Sequence, residues 1–262
     1  MISTEPHPRN LKSPASLIEG MRVERVPSGV RGLDAKIEGG FFNGSVNLVV
    51  GKTGTGKSAF CSAFLYEGAQ KKEPGFYVTT EQREEDIKAD MEAMFGWDLQ
   101  SLENRKLLRF LSLKPQFPSG SLDPERTRKL IRLYALDVSD KIEQGIRQLR
   151  AKRVAIDSVS IIEMFIKDHY LSRIVLVHLV EKLKALGVTA VLAGTVSETS
   201  EGLSGGGIIE YIVDSVIKLD FVPVAEEFKR TLTIRKMRRT DHSVLIHPFA
   251  IAKDGLRLVQ IR

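Results

Sequence analysis

From Val26 onward the chain alternates short apolar runs with longer amphipathic stretches. Ser45–Val50 (SVNLVV) reads as a buried strand and Lys57–Lys71 as a helix. Gly75–Thr80 predicts a second strand, Glu84–Phe95 a helix and Leu107–Leu113 a third strand. Pro124–Arg150 is a long helical region opened by a capping signal at Ser121–Asp123. Val154–Asp157 is the next strand, Ser172–Leu186 a helix ended by Gly187, and Val188–Ala193 another strand. Strands that alternate with helices build parallel βαβ units, with the sheet covered on both faces. The pattern then changes. After Ile212–Leu219, the segments Thr231–Met237, Ser243–Ile251 and Gly255–Ile261 are strand-like, with turn signals at Arg239–Asp241 and Asp254–Gly255 and no helix between them. They predict antiparallel hairpins added to one end of the sheet. The fold class is therefore α/β, with a mostly parallel central sheet, helices on both faces and antiparallel strands at the C-terminus.

Residues 1–25 carry three prolines and no sustained periodicity, which predicts a tail ahead of a domain over residues 26–262. Lys114–Asp123 and Ser197–Gly207 are rich in Gly, Ser and Pro and read as loops. With 262 residues, 42% hydrophobic and 27% charged, the chain has the apolar content for a real core, which excludes a disordered or collagen-like chain. No apolar run approaches the roughly 20 residues of a membrane span, and the first residues lack the apolar stretch of a secretory signal. The single cysteine, Cys61, has no partner for an internal disulfide. These features together predict a soluble, cytoplasmic protein with no membrane association. A net charge of +6 fits either an anionic partner or a mildly basic, soluble surface.

Residues 51–58 read Gly51-Lys52-Thr53-Gly54-Thr55-Gly56-Lys57-Ser58, between an apolar strand and a helix. This is the phosphate-binding pattern in which glycines let backbone N–H groups point at phosphates and the helix offers its N-terminal dipole. Lys57 then serves the terminal phosphates and the Ser58 hydroxyl serves Mg2+, so the motif predicts ATP and Mg2+ as ligands. Asp157 ends the apolar strand Val154-Ala155-Ile156, where a carboxylate can hold the Mg2+ shell through water. Glu81 follows the second strand. It suits two roles: a base that activates water against the γ-phosphate, or one of several acids favoured by a helix N-terminus, beside Glu84, Glu85 and Asp86. Lys236 and Arg238 lie two apart on a strand and project to one face, with Arg235, Met237 and Arg239 on the other. They suit the charged edge that discourages strand pairing or a phosphate clamp, in the same subunit or across an interface. His7, His169, His178 and His247 have no metal-ligand spacing.

Taken together, these residues resemble the KaiC-like branch of the RecA-type ATPases, along nearly the whole chain from Val26. The matching segments are Val26–Asp34 with Gly39, Gly40 and Gly44, the phosphate loop with Ala59, Phe95-Gly96-Trp97-Asp98, and Val154–Val159. The resemblance implies that Glu81 is the catalytic base, while Gln82 stands where the family carries a second glutamate. It also implies that Lys236, Met237, Arg238, Thr240 and His242 form the element that contacts the nucleotide of a neighbouring subunit, and that Asp254 approaches nucleotide in the last hairpin turn. On that footing the active form is a homo-oligomer, possible as a hexamer, whose shared sites hydrolyse ATP and whose nucleotide state signals to a partner protein.

Two alternatives stand beside it: a RadA-paralogue type of recombination or DNA-repair modulator, and a nucleotide-sensing module with little turnover, as in archaeal motility accessories. A clock protein in the strict sense has two such domains, and one phosphate loop is present here. DNA is not favoured, because Ser197–Gly207 carries Glu198 and Glu201 and no cation, although Lys71-Lys72 and Arg126–Arg132 leave outer-surface contacts open.

Overall fold

The computed structural model describes residues 24–114, 123–160, 169–196, 209–224 and 226–259. The expected loop Ser197–Gly207, most of Lys114–Asp123 and residues 1–23 lie outside the described residues. The strands are β1 (Arg25–Val26), β2 (Val30–Arg31), β3 (Phe41–Phe42), β4 (Val46–Gly51), β5 (Gly75–Thr79), β6 (Leu108–Ser112), β7 (Arg153–Asp157), β8 (Thr189–Thr195), β9 (Ser215–Val224), β10 (Glu227–Met237), β11 (Ile246–Ala252) and β12 (Gly255–Leu258). The helices are α1 (Lys57–Gln70), α2 (Glu84–Phe95), α3 (Leu99–Asn104), α4 (Pro124–Leu149), α5 (His169–Ala185) and α6 (Ile209–Ile212).

Ten strands form one sheet in the order β2-β12-β11-β10-β9-β4-β8-β7-β5-β6, and β1 pairs with β3 in a separate ribbon. The six strands from β9 to β6 run parallel. Strands β9 to β12 are successively antiparallel. This is the α/β architecture expected from the sequence, including the hairpins at one end. The parallel strands read as unbroken apolar runs because both faces are covered. In β4, Val49 packs on the α1 face, while Val46, Leu48 and Val50 pack toward α4 and α5.

Each helix is legible in its own chemistry. Asp123 caps α4 by accepting from the Glu125 and Arg126 amides at 3.0 Å, and Pro124 opens the first turn. Lys182 of α5 ties that helix to α4 through Asp140 (3.1 Å) and Glu143 (3.0 Å). The Phe95–Asp98 turn joins α2 to α3. Gly96 closes α2 at φ 68°, Trp97 stacks on Tyr66 and Phe95, and Asp98 accepts from the Ser101 amide to start α3.

The structure departs from the sequence reading in several places. Arg25, assigned to the tail, belongs to β1 and donates to Thr240 Oγ1 (2.7 Å) and Glu38 Oε2 (2.7 Å). Ile212 ends α6 rather than starting a strand. The alternation expected over Arg235–Arg239 is broken by a bulge between Ile234 and Lys236, which leaves Arg235 exposed and unpaired in the ladder. The extra residue resets the pattern, so Ile234 and Met237 share the core-facing side while Arg238 is exposed.

Arg153, the first residue of β7, is fully buried. A cation in that position must be paired to be tolerated. Its Nε donates to Glu73 (2.7 Å), Nη1 donates to the carbonyls of Pro27 (2.8 Å) and Phe64 (2.9 Å), and the guanidinium lies over the Phe64 ring. It therefore pins the segment before β2 and the end of α1 to the sheet. Gly68 makes room for it. Helix propensity alone favours Gly68→Ala by about 1 kcal/mol. The added Cβ, however, stands 2.4 Å from Arg153 Cδ and 2.6 Å from Nε, and overpacking a pinned group costs about 1–3 kcal/mol. The two terms net to about 1 kcal/mol of destabilisation at their midpoint, so we expect Gly68→Ala to lower the Tm by roughly 2–4 °C in a thermal melt. An unchanged or higher Tm contradicts the pinning.

Candidate functional site

Strand β4 delivers Gly51 to the C-terminal end of the parallel array, and the chain turns through residues 52–56 into α1. Thr55 closes the turn by donating from Oγ1 to the Lys52 carbonyl at 2.8 Å. Gly56 sits at the N-cap of α1 with φ 107°, and a Cβ there would stand 2.8 Å from Ile251 Cδ1. No side chain caps this helix and its first turn carries no acid, so its amides and dipole face outward unopposed. That is a site for an anion, provided a ligand of phosphate chemistry is at hand.

Lys57 lies back along the loop. Its Nζ donates to the carbonyls of Gly51 (2.8 Å) and Lys52 (2.9 Å). Burial lowers its pKa, opposed by the charges of Asp157 and Glu81. Ser58, Thr53 and Gly54 are exposed, and Ala59 is buried against the core.

The neighbouring parallel strands bring two carboxylates to the same end. Asp157 ends β7 and pairs in register with Thr79 of β5. Its Oδ2 accepts from the Tyr77 hydroxyl at 2.7 Å. Burial raises the pKa of Asp157, while hydrogen bonds from Ser58 and Tyr77 and the charge of Lys57 oppose the rise. Glu81 lies two residues beyond the end of β5 and is exposed. Ser158 Oγ donates to Glu81 Oε1 at 2.5 Å. Thr80 completes the link: its amide donates to the Asp157 carbonyl (2.9 Å), and its Oγ1 exchanges hydrogen bonds with the Ser158 backbone at 2.8 and 3.0 Å. The Asp157–Ser158 peptide is cis. Sequence reasoning passed over Tyr77, Thr80 and Ser158. The signal for Tyr77 was present, since a hydroxyl in a buried strand needs a partner.

The remaining residues singled out in the sequence divide between two ends of the sheet. Asp254 lies in the turn between β11 and β12, held by Arg31 (2.9 Å) and Arg257 (3.5 Å). Strand β11 runs toward the phosphate loop, with Ile251 against Gly56. Lys236, Met237 and Arg238 lie toward the other end. Lys236 pairs with Val216, and Val216 with Leu48, three residues before Gly51. At about 3.3 Å per residue this level is roughly 10 Å down the sheet from Gly51. Lys236 Nζ donates to the carbonyls of Val213 (2.7 Å) and Glu210 (2.9 Å), and Arg238 donates to the Tyr211 carbonyl (3.3 Å). Burial, followed by the charge of Arg238, lowers the pKa of Lys236. Thr240 accepts from Arg25, and His242 Nδ1 lies 3.2 Å from the Ser243 carbonyl. Thus one chain gathers residues 51–59, Glu81 and Asp157, brings β11 near the loop through Ile251, and holds Lys236 and Arg238 apart from them.

Among the described residues no group of His, Cys, Asp and Glu forms a metal cluster, and no helix is long and apolar enough to cross a membrane.

Comparison with known proteins finds relatives along nearly the whole chain. A UPF0273 protein of Pyrococcus furiosus is 35% identical over 237 residues, covering 89% of this chain and 93% of that protein. The circadian clock oscillator protein KaiC of Parathermosynechococcus lividus is 34% identical over 257 residues. That match takes in 98% of this chain but 46% of the clock protein, so the chain spans about half of its length. The crystal structure of a KaiC-like protein from Pyrococcus horikoshii superposes with a TM-score of 0.77 at 34% identity, covering 91% of this chain and all of that one. The family model described as "ATPase: KaiC" matches residues 26–262. With a RecA-like phosphate-loop fold and relatives along nearly its full length, the chain belongs to the KaiC ATPase family.

Proposed function

We propose that this protein hydrolyses ATP in a Mg2+-dependent manner at sites shared between subunits of a homo-oligomer, and that its nucleotide state is read by a partner protein. The observation that carries the reading is the convergence of three groups at one end of the sheet: the uncapped N-terminus of α1 with Lys57, Asp157, and Glu81 held by Ser158.

The triphosphate lies on the open amides of the loop and of the first turn of α1. Lys57 exchanges its two loop carbonyls for phosphate oxygens, trading neutral acceptors for charged ones. The donors fit a hard cation: Ser58 offers a hydroxyl that hydrogen-bonds Asp157, and Asp157 a carboxylate whose Oδ2 accepts from Tyr77. Mg2+ bound there neutralises charge on the phosphates. Glu81 uses Oε1 for Ser158, which leaves Oε2 to take a proton from water. The water oxygen bonds to the γ-phosphorus, the bond to the β–γ bridging oxygen breaks, and ADP leaves with the bridging electrons.

Removing the base while keeping its shape isolates this step. Glu81→Gln should retain ATP binding and lose turnover by about 10²-fold or more, read by equilibrium binding beside steady-state hydrolysis. Undiminished turnover would remove Glu81 from the chemistry.

The distance of Lys236 and Arg238 from their own phosphate loop supports a role on a neighbouring copy. Lys236 is engaged by carbonyls of α6 and the residues after it, and Arg238 by the Tyr211 carbonyl and, at 3.6 Å, by the carboxylate of Asp214, a loose pairing that a phosphate anion can replace. If they act across an interface, Arg238→Ala alone loses activity and Lys57→Ala alone loses it too. Mixing the two variants should restore part of it, because some interfaces then pair an intact loop with an intact Arg238. A mixture no more active than its components contradicts the shared site.

A further inference from the structure

Tyr77 is fully buried in the middle of β5, on the sheet face covered by α1. Its register partner on β7 is Ala155, whose short side chain leaves space for the phenol ring to lean along the sheet. Two residues further on β7, roughly 6.5 Å away, stands Asp157 on the same face. On the other side the ring stacks on Phe110 of β6, with centroids 5.7 Å apart and planes at 29°. Held on both sides in a close-packed layer, the ring has one place for its hydroxyl. It donates to Asp157 Oδ2 at 2.7 Å.

A phenylalanine would fill this space equally well. The hydroxyl is costly to bury; it donates to the carboxylate at the end of β7 and also lies within hydrogen-bonding reach of the Ser58 side chain. The bond to Asp157 restrains that side chain by one of its oxygens, and the same carboxylate takes a hydrogen bond from Ser58 of the phosphate loop. Outer groups of this kind orient the inner ones wherever a cation is held, and their loss costs about 10- to 100-fold in affinity.

We propose that Tyr77 is a positioning residue that sets the orientation of the Asp157 carboxylate for the cation at the phosphate loop. The inference rests on the reading of Asp157 as the carboxylate on the metal side of the site. It assigns Tyr77 no contact with nucleotide, and its effect passes through Asp157.

The test titrates Mg2+ calorimetrically into full-length protein saturated with a non-hydrolysable ATP analogue, at a temperature well below the Tm of each variant. Analogue affinity is measured in parallel in EDTA. Tyr77→Phe should bind Mg2+ about tenfold more weakly while its analogue affinity in EDTA stays at the wild-type value. Asp157→Asn, in the same titration, should lose Mg2+ affinity by at least as much. Wild-type Mg2+ affinity in Tyr77→Phe, with Asp157→Asn impaired, overturns the positioning role and leaves Asp157 in place. Unimpaired Asp157→Asn overturns the metal-side reading and the proposal with it. Loss of analogue binding in EDTA by Tyr77→Phe overturns the proposal in favour of a general packing role.

Discussion

The in-register parallel pairing of β5, β7, β8 and β4 is the constraint on which the site depends. Thr79 pairs with Asp157, Asp157 with Ala193, and Ala193 with Val49, so the strands end close to one level. Side chains alternate along each strand, and a slip of one residue would turn Asp157 and Tyr77 away from α1. The register holds because both faces are buried: Tyr77, Ala155 and Val49 fit under α1, while Phe76, Val78, Val154 and Leu48 fit under α4 and α5. Arg153 braces the far end of β7, fastening it to α1 and to the segment before β2.

That same register separates the chain's charged groups. The amides of α1, Lys57, Glu81 and Asp157 share one end, and the bulged end of β10 carries Lys236 and Arg238 toward the other. A chain built this way carries the phosphate loop with its two carboxylates at one end and the cations Lys236 and Arg238 toward the other. Such an asymmetric pair of surfaces suits head-to-tail assembly, which closes into a ring when the rotation between copies permits.

Much of this was legible in the sequence, because the relevant signals are local. The phosphate loop is a run of glycines around Lys57, where each residue type answers a need of its immediate backbone. The caps at Asp123 and Asp98 and the closing Gly96 act within one turn of the chain. What stayed hidden depends on contacts between distant segments. The Arg153 guanidinium reaches Pro27 and Phe64, 126 and 89 residues away. The bond from Tyr77 to Asp157 spans 80 residues. The bulge at Arg235 follows from the pairing of β10 with β9, and an alternating pattern of polar and apolar residues cannot display it. The short ribbon of β1 and β3 has two residues per strand, too few to show a period.

The central claim is that one chain carries an incomplete site which a second copy finishes. It is tested most directly by steady-state ATP hydrolysis per chain across a range of protein concentrations, with light scattering on the same samples. The account expects activity per chain to rise as assembly proceeds and to reach a plateau when assembly is complete. Turnover that is independent of concentration and fully present in the monomer would contradict it, as would a completed assembly that binds ATP and does not hydrolyse it.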